Sequence, residues 1–166
     1  NWAPNPAMML SQLLASMKDK DGWVTVKDFY TDVTPLTQFE QKALEAVPSV
    51  DEQMKNELGF LTREMKEFSL VEAINLPTLN INGMQSANVG KNASNVIPIT
   101  ASTVLDLRLV AGNNWQRQQQ KVVDHIKAQG YYVTENEPTD EERSKYPKIA
   151  KVNLSSGYNA QKTSMD

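Results

Sequence analysis

The sequence has no cysteine and only one histidine. The first absence excludes disulfides, thiolate metal sites and thiol catalysis. The second leaves His125, next to Asp124, as the sole imidazole. Adjacent helix positions point in different directions, which favours a structural or solvent-facing role for it. A hydrolytic zinc site draws on several His and carboxylate ligands, so no metal is expected on this segment. No Gly-x-Ser-x-Gly turn presents a serine to His125. No apolar run approaches the roughly 20 residues of a membrane-spanning helix. Seventeen Lys and Arg stand against 20 Asp and Glu, a net charge of −3, and no basic stripe marks a nucleic-acid footprint. Neither a membrane nor a nucleic acid is expected as partner. The Gly83–Gly90 loop lacks the Gly-Lys-Ser/Thr ending of a phosphate loop and precedes a strand.

What is present is ordinary for a globular chain. At 166 residues, 40% hydrophobic and 22% charged, it fits one domain, or one domain with an insertion. It opens on Asn-Trp-Ala-Pro rather than Met, which suggests an excised piece. Asn92-Ala93-Ser94 and Asn153-Leu154-Ser155 fit the glycosylation acceptor pattern, a tripeptide that also arises often by chance.

Residues 5 to 74 read mostly helical. Asn5 can cap a helix with Pro6 at its first position, and Met9, Leu10, Leu13, Leu14 and Met17 repeat at helical spacing. Asp21-Gly22 reads as a turn and Trp23–Val26 as a short strand. A second helix carries Leu36, Phe39, Ala43 and Val47 on one face. Ser49 with Glu52 predicts a capping box for a third, ended by Gly59; Met65, Phe68 and Glu72 mark a fourth. Strands are expected near 78–84, 99–110, 131–134 and 149–154, with a helix over 115–129 stopped by Gly130. Thr139 with Glu142 predicts another capping box. Residues 155–166 are polar and aperiodic. A two-layer α+β sandwich is the natural packing of such elements.

The 99–110 strand alternates strictly. Ile99, Ala101, Thr103, Leu105, Leu107 and Leu109 share one face; Thr100, Ser102, Val104, Asp106, Arg108 and Val110 share the other. Arg108 cannot lose its charge and is costly to bury alone, so it needs a partner. Asp106, or a neighbouring strand, is the commonest kind of answer.

The flanks point further. Leu79-Asn80-Ile81-Asn82-Gly83-Met84, a loop with Gly90, Asn95-Val96-Ile97-Pro98, a strand ending in Arg108-Leu109-Val110 and a helix opened by Asn113-Asn114-Trp115 follow in order. This order resembles the lid (dimerisation) domain of the di-zinc exopeptidases, among them carnosinase, aminoacylase, acetylornithine deacetylase and succinyl-diaminopimelate desuccinylase. The carnosinase and cytosolic non-specific dipeptidase branch is the nearest. The similarity runs from Asn1 to about Val133, and Asn1–Pro6 looks like the segment after that branch's His-Ser-Gly motif.

The resemblance implies a ferredoxin-like antiparallel sheet packed on helices. Residues 1–154 would form the lid, with a helical insertion at about 23–74, and 155–166 would connect to a catalytic domain. The family's first lid strand would lie ahead of Asn1, so the sheet would have a gap or recruit residues 149–154. The implied activity is zinc-dependent hydrolysis of dipeptides or N-acyl amino acids, with the zinc ligands and general base elsewhere in the full-length enzyme. This fragment alone would be inactive and bind no cofactor. Arg108 matches the lid arginine that clamps the substrate's carboxylate, and Asn95 matches a substrate-contacting residue. Asn82 stands where relatives carry the histidine of a His-Gly pair, and the lid's oxyanion-stabilising histidine falls before Asn1. A homodimer through the edge strand near 78–84 and a helix is implied, in the cytoplasm. The alternatives are a free-standing α+β binding or protein-interaction module without catalysis, and a small-ligand regulatory domain that binds an anion at Arg108.

Overall fold

A computed structural model describes residues 2–163. Helix α1 (Pro6–Ala15) starts where Asn5 Oδ1 accepts the amide of Ala7 at 2.9 Å, with Pro6 at its first position. This satisfies amides that the first turn leaves free. Leu13, Leu14 and Met17 are buried at its end.

The insertion that follows contributes to the core more than its helices suggest. Val24, Val26 and Phe29 are buried, and Trp23 packs edge-on between Tyr30 and Phe68. The strand expected at Trp23–Val26 is only a single antiparallel bridge, Lys18 to Val24. Helix α2 (Gln38–Ala46) opens on a Thr37–Glu40 capping box. It turns Glu40 inward and leaves Phe39 and Val47 exposed, while Leu36 and Ala43 of the expected face are half-buried. The reason is electrostatic: Glu40 closes the cap and also accepts Lys162 at 2.6 Å, and together these hold its carboxyl below the usual range.

Helix α3 (Asp51–Leu58) lacks the expected Ser49–Glu52 box, because Glu52 pairs with Lys55 instead. Gly59 ends it in the left-handed conformation, φ 74°. Helix α4 is one turn, Leu70–Ala73, capped by Ser69 and Glu72, and so begins later than Met65 and Phe68 predict.

Strands β1 (Thr78–Gln85) and β2 (Ser102–Arg108) pair antiparallel. Helix α5 (Trp115–Ala128) follows, then β3 (Tyr132–Thr134), α6 (Asp140–Lys145) with the expected Thr139–Glu142 box, and β4 (Ile149–Lys151). The fold is α+β, as the element pattern implies. The strands form two separate pairs rather than one antiparallel sheet: β1 with β2, and β3 parallel to β4. Residues 149–151 pair with β3 alone and do not extend the β1–β2 sheet. Leu105 and Leu107 of β2 and Val133 and Ala150 of β3 and β4 rest on the same core as α1 and α5.

Strand β2 is shorter than its alternation. Its partner ends at Gln85, opposite Ser102, so residues 99–101 find no ladder, and Ile99 is exposed. Among the described residues no helix is long and apolar enough to cross a membrane.

Candidate functional site

The β1–β2 ribbon sorts its side chains by alternation. Leu79 and Leu107 face each other toward the core, while Thr78 opposite Arg108 and Asn80 opposite Asp106 form the other face. Arg108 Nε donates to Asp106 Oδ2 at 2.7 Å, with the Arg108 side chain 77% exposed and that of Asp106 30%. An exposed pair of this kind contributes about 0–1 kcal/mol, so an incoming anion gives up little by displacing it. Among the described residues the two terminal nitrogens of the guanidinium have no protein partner. They are a planar fork suited to a carboxylate.

The other two candidates lie elsewhere. Asn82 is the extra residue of a β-bulge, since Ile81 faces Leu105 and Gly83 faces Val104. A bulge re-aims a side chain out of the regular pleat, and Asn82 is exposed. Val104 lies four residues along β2 from Arg108, which puts Asn82 roughly 13 Å away. Asn95 is exposed in the loop between a 3₁₀ turn (Gly90–Asn92) and β2. The ribbon therefore gathers Arg108 with Asp106, Asn80 and Thr78, and holds Asn82 at its far end.

His125 has a structural partner. Its Nε2 lies 2.9 Å from Ser16 Oγ, and Ser16 Oγ donates to the Leu13 carbonyl at 2.6 Å. The hydroxyl's one hydrogen is used there, so the imidazole is the donor in the other bond. Burial pushes the His125 pKa down. Among the described residues no three His, Asp or Glu side chains gather closely enough to hold a metal ion. The donor set therefore does not fit the zinc of the family resemblance, and no metal step is derived for this segment.

Sequence reasoning missed several contacts. Gln118 is fully buried and donates to the Phe29 carbonyl at 3.0 Å. Its place four residues before Val122 on the buried stripe was an available signal. Lys18 bonds both Glu64 and Asn80, at 3.0 and 3.3 Å, which places a charged pair beside β1, a strand with no Lys or Glu of its own. Residues 155–163 fold back over the domain: Trp115 N donates to Asn159 Oδ1 at 2.9 Å, and Lys162 reaches Glu40. The expected connector begins as a strap, and residues 164–166 lie outside the described part. Lys162, Leu36, Ile74 and Val110 line a shallow cleft of about 230 Å³ under the strap.

The family model described as "Peptidase dimerisation domain" matches residues 1–133. The human Beta-Ala-His dipeptidase is 28% identical over 123 residues, 73% of this chain and 24% of its own length. The M20 family metallo-carboxypeptidase Sso-CP2 of Sulfolobus solfataricus superposes with a TM-score of 0.68 at 26% identity, covering 78% of this chain and 34% of that one. Human carnosine dipeptidase 1 gives 0.66 at 26% identity, over 77% of this chain and 28% of that one. The chain thus spans about a quarter to a third of the length of these relatives.

Proposed function

Because the chain belongs to the peptidase dimerisation domain family, we propose that it is the lid and dimerisation part of a larger zinc-dependent metallopeptidase. The whole enzyme hydrolyses dipeptides or N-acyl amino acids by a metal-activated water, and its zinc is held outside this segment. The segment contributes two things: recognition of the substrate carboxylate and association with a second copy.

Arg108 is the carboxylate-binding residue, with Asn95 and Asn82 as further substrate contacts on the closed enzyme. The observation that carries this reading is the exposed guanidinium fork of Arg108 on the polar face of the β1–β2 ribbon, held among the described residues only by Asp106. A guanidinium grips a carboxylate through two parallel bonds, which an ammonium cannot reproduce. Asp106 keeps the fork oriented and screens its charge until substrate arrives.

Association runs through the open end of β1 and a neighbouring helix. Lys18, paired with Glu64, bonds the Asn80 side chain, and beyond it every residue of 81–85 is exposed. A strand edge with unpaired amides and carbonyls is a template for a second strand. A cytoplasmic setting belongs to the same reading.

The test is hydrolysis by the full-length polypeptide that carries this domain. Dipeptides and N-acyl amino acids should be cleaved, with activity lost on chelation and restored by zinc. A full-length protein with no hydrolysis of either substrate class, with or without zinc, overturns the reading in favour of a non-catalytic binding module.

A further inference from the structure

We propose that Ser86 is a positioning residue for substrate binding: its hydroxyl fixes the root of the 87–99 loop and so sets where Asn95 stands. The inference rests on the reading of Asn95 as a substrate contact and extends it to the bond that holds Asn95 in place.

The ladder gives out where the loop begins. Its last paired residues are Gln85 and Ser102. One step beyond them Ser86 Oγ donates to the Thr100 carbonyl at 2.8 Å, across 14 residues of sequence. A side-chain bond thus stands where the backbone ladder has ended. Thr103 Oγ1 donates to the Gly83 carbonyl at 2.9 Å, a second side-chain bond across the same end of the ribbon, next to the bulge at Asn82.

Little else ties the loop down. Val96, Ile97 and Ile99 are exposed and Pro98 is half-buried, so the loop has no buried apolar anchor. Its one turn, Gly90–Asn92, closes on itself, with Ala93 N donating to the Gly90 carbonyl at 3.1 Å. Among the described residues no side chain of 87–99 hydrogen-bonds the ribbon. A segment with so few contacts opens locally at little cost, so a single bond at its root has leverage that the same bond in a core lacks.

Two features carry the constraint from the root toward Asn95. On one side Ala87 stands at φ 51°, in the left-handed region that an L side chain enters at a cost. A strained residue of this kind persists where its neighbours hold it, and the bond from Ser86 is adjacent. On the other side Pro98 fixes its own φ and keeps Ile97 extended. Asn95 lies five residues before Thr100, at most about 18 Å of chain. Without the Ser86 bond the loop must be ordered when substrate binds, and that ordering is subtracted from affinity. The loss therefore falls on KM rather than on kcat.

The test uses the full-length polypeptide with Ser86→Ala, Ser86→Thr, Asn95→Ala and the double variant Ser86→Ala/Asn95→Ala. Ser86→Ala should raise KM roughly three- to tenfold and leave kcat within about twofold, with melting unchanged. Ser86→Thr keeps a hydroxyl and should restore KM. In the Asn95→Ala background Ser86→Ala should add nothing further. Trypsin gives a readout independent of activity, because Lys91 is the only Lys or Arg of 86–101. Cleavage after Lys91 should be at least about threefold faster in Ser86→Ala than in the wild type. Unchanged cleavage overturns the inference whatever the KM. So do KM losses that multiply in the double variant, since Ser86 then acts other than through Asn95, and so does a lowered melting temperature with KM intact. If Asn95→Ala leaves KM unchanged, the reading of Asn95 falls and the positioning role with it, while the reading of Arg108 stands. Faster cleavage in a protein that hydrolyses neither substrate class overturns the substrate role and the proposed function together.

Discussion

Gly112 follows β2 in the turn that leads to α5, at φ +94°. A Cβ there would collide with the Asp32 carbonyl and lie 2.6–2.7 Å from Thr34 Oγ1 and N. The left-handed conformation alone disfavours an L side chain by about 1–2 kcal/mol, and overpacking adds to that. Gly112→Ala should therefore destabilise by roughly 2 kcal/mol or more and lower the melting temperature by several degrees. Gly83→Ala, at an ordinary φ with nothing within 4 Å, should stay within about 0.5 kcal/mol of wild type. Equal melting of the two variants in a thermal scan would contradict the packing of this turn on residues 32–34. The residues that were legible in the sequence are those whose chemistry is local. Asn5 caps where it stands before Pro6, and Gly59 takes the conformation its missing Cβ permits. Arg108 was legible as a charge needing a partner, and Asp106 supplies it. Glu40 and Gln118 were not, because their partners Lys162 and Phe29 lie 122 and 89 residues away in the chain.

At the scale of elements, α1 and α5 are joined by more than apolar contact. Leu13, Leu14 and Met17 meet Val122 and Ile126 in the core, and the Ser16–His125 bond closes one side of that contact. Burial lowers the His125 pKa from its ordinary 6.5, so the folded state favours the neutral imidazole. In the unfolded chain His125 takes up a proton as pH falls through about 6.5. Stability from this group is thus fully present above 6.5 and lost as pH drops from there through the lower folded value. Denaturant unfolding of wild type and His125→Gln at pH 7.5 and just below 6 checks it. The wild type should lose more stability than the variant between the two; parallel losses would contradict the sign.

Element boundaries show what sequence pattern carries. Thr37–Glu40 and Ser69–Glu72 form capping boxes with the same spacing as Thr139–Glu142, so that local signal was present and could have been read. Ser49–Glu52 has the spacing as well, but Glu52 goes to Lys55 and Asp51 is drawn to Arg63. Strand length was not legible, because β2 extends only as far as β1 accompanies it. The parallel pairing of β3 with β4 joins segments separated by α6, which periodicity within either segment cannot specify.

Taken whole, the molecule has an apolar core shared by two strand pairs and two helices, and a strap that crosses the start of α5 to reach α2. Its polar ribbon face offers a positive fork and no donor set for a metal among the described residues. Under the proposed function, such a surface would hold a substrate whose reacting bond lies elsewhere; the segment spans about a quarter to a third of the length of its relatives. The account therefore stands or falls on Arg108 in the full-length polypeptide. The direct measurement is kcat/KM for a dipeptide and for its C-terminal amide, with wild type and Arg108→Lys, alongside the melting temperature of each. Charge-assisted bonds of this kind contribute about 1.5–3 kcal/mol, so Arg108→Lys should lower kcat/KM for the free acid roughly ten- to a hundredfold. Melting should be unchanged, and the amide should lose its disadvantage relative to the acid. A variant that melts far below wild type yet keeps its efficiency toward the free acid would make Arg108 a structural partner of Asp106 and contradict the account.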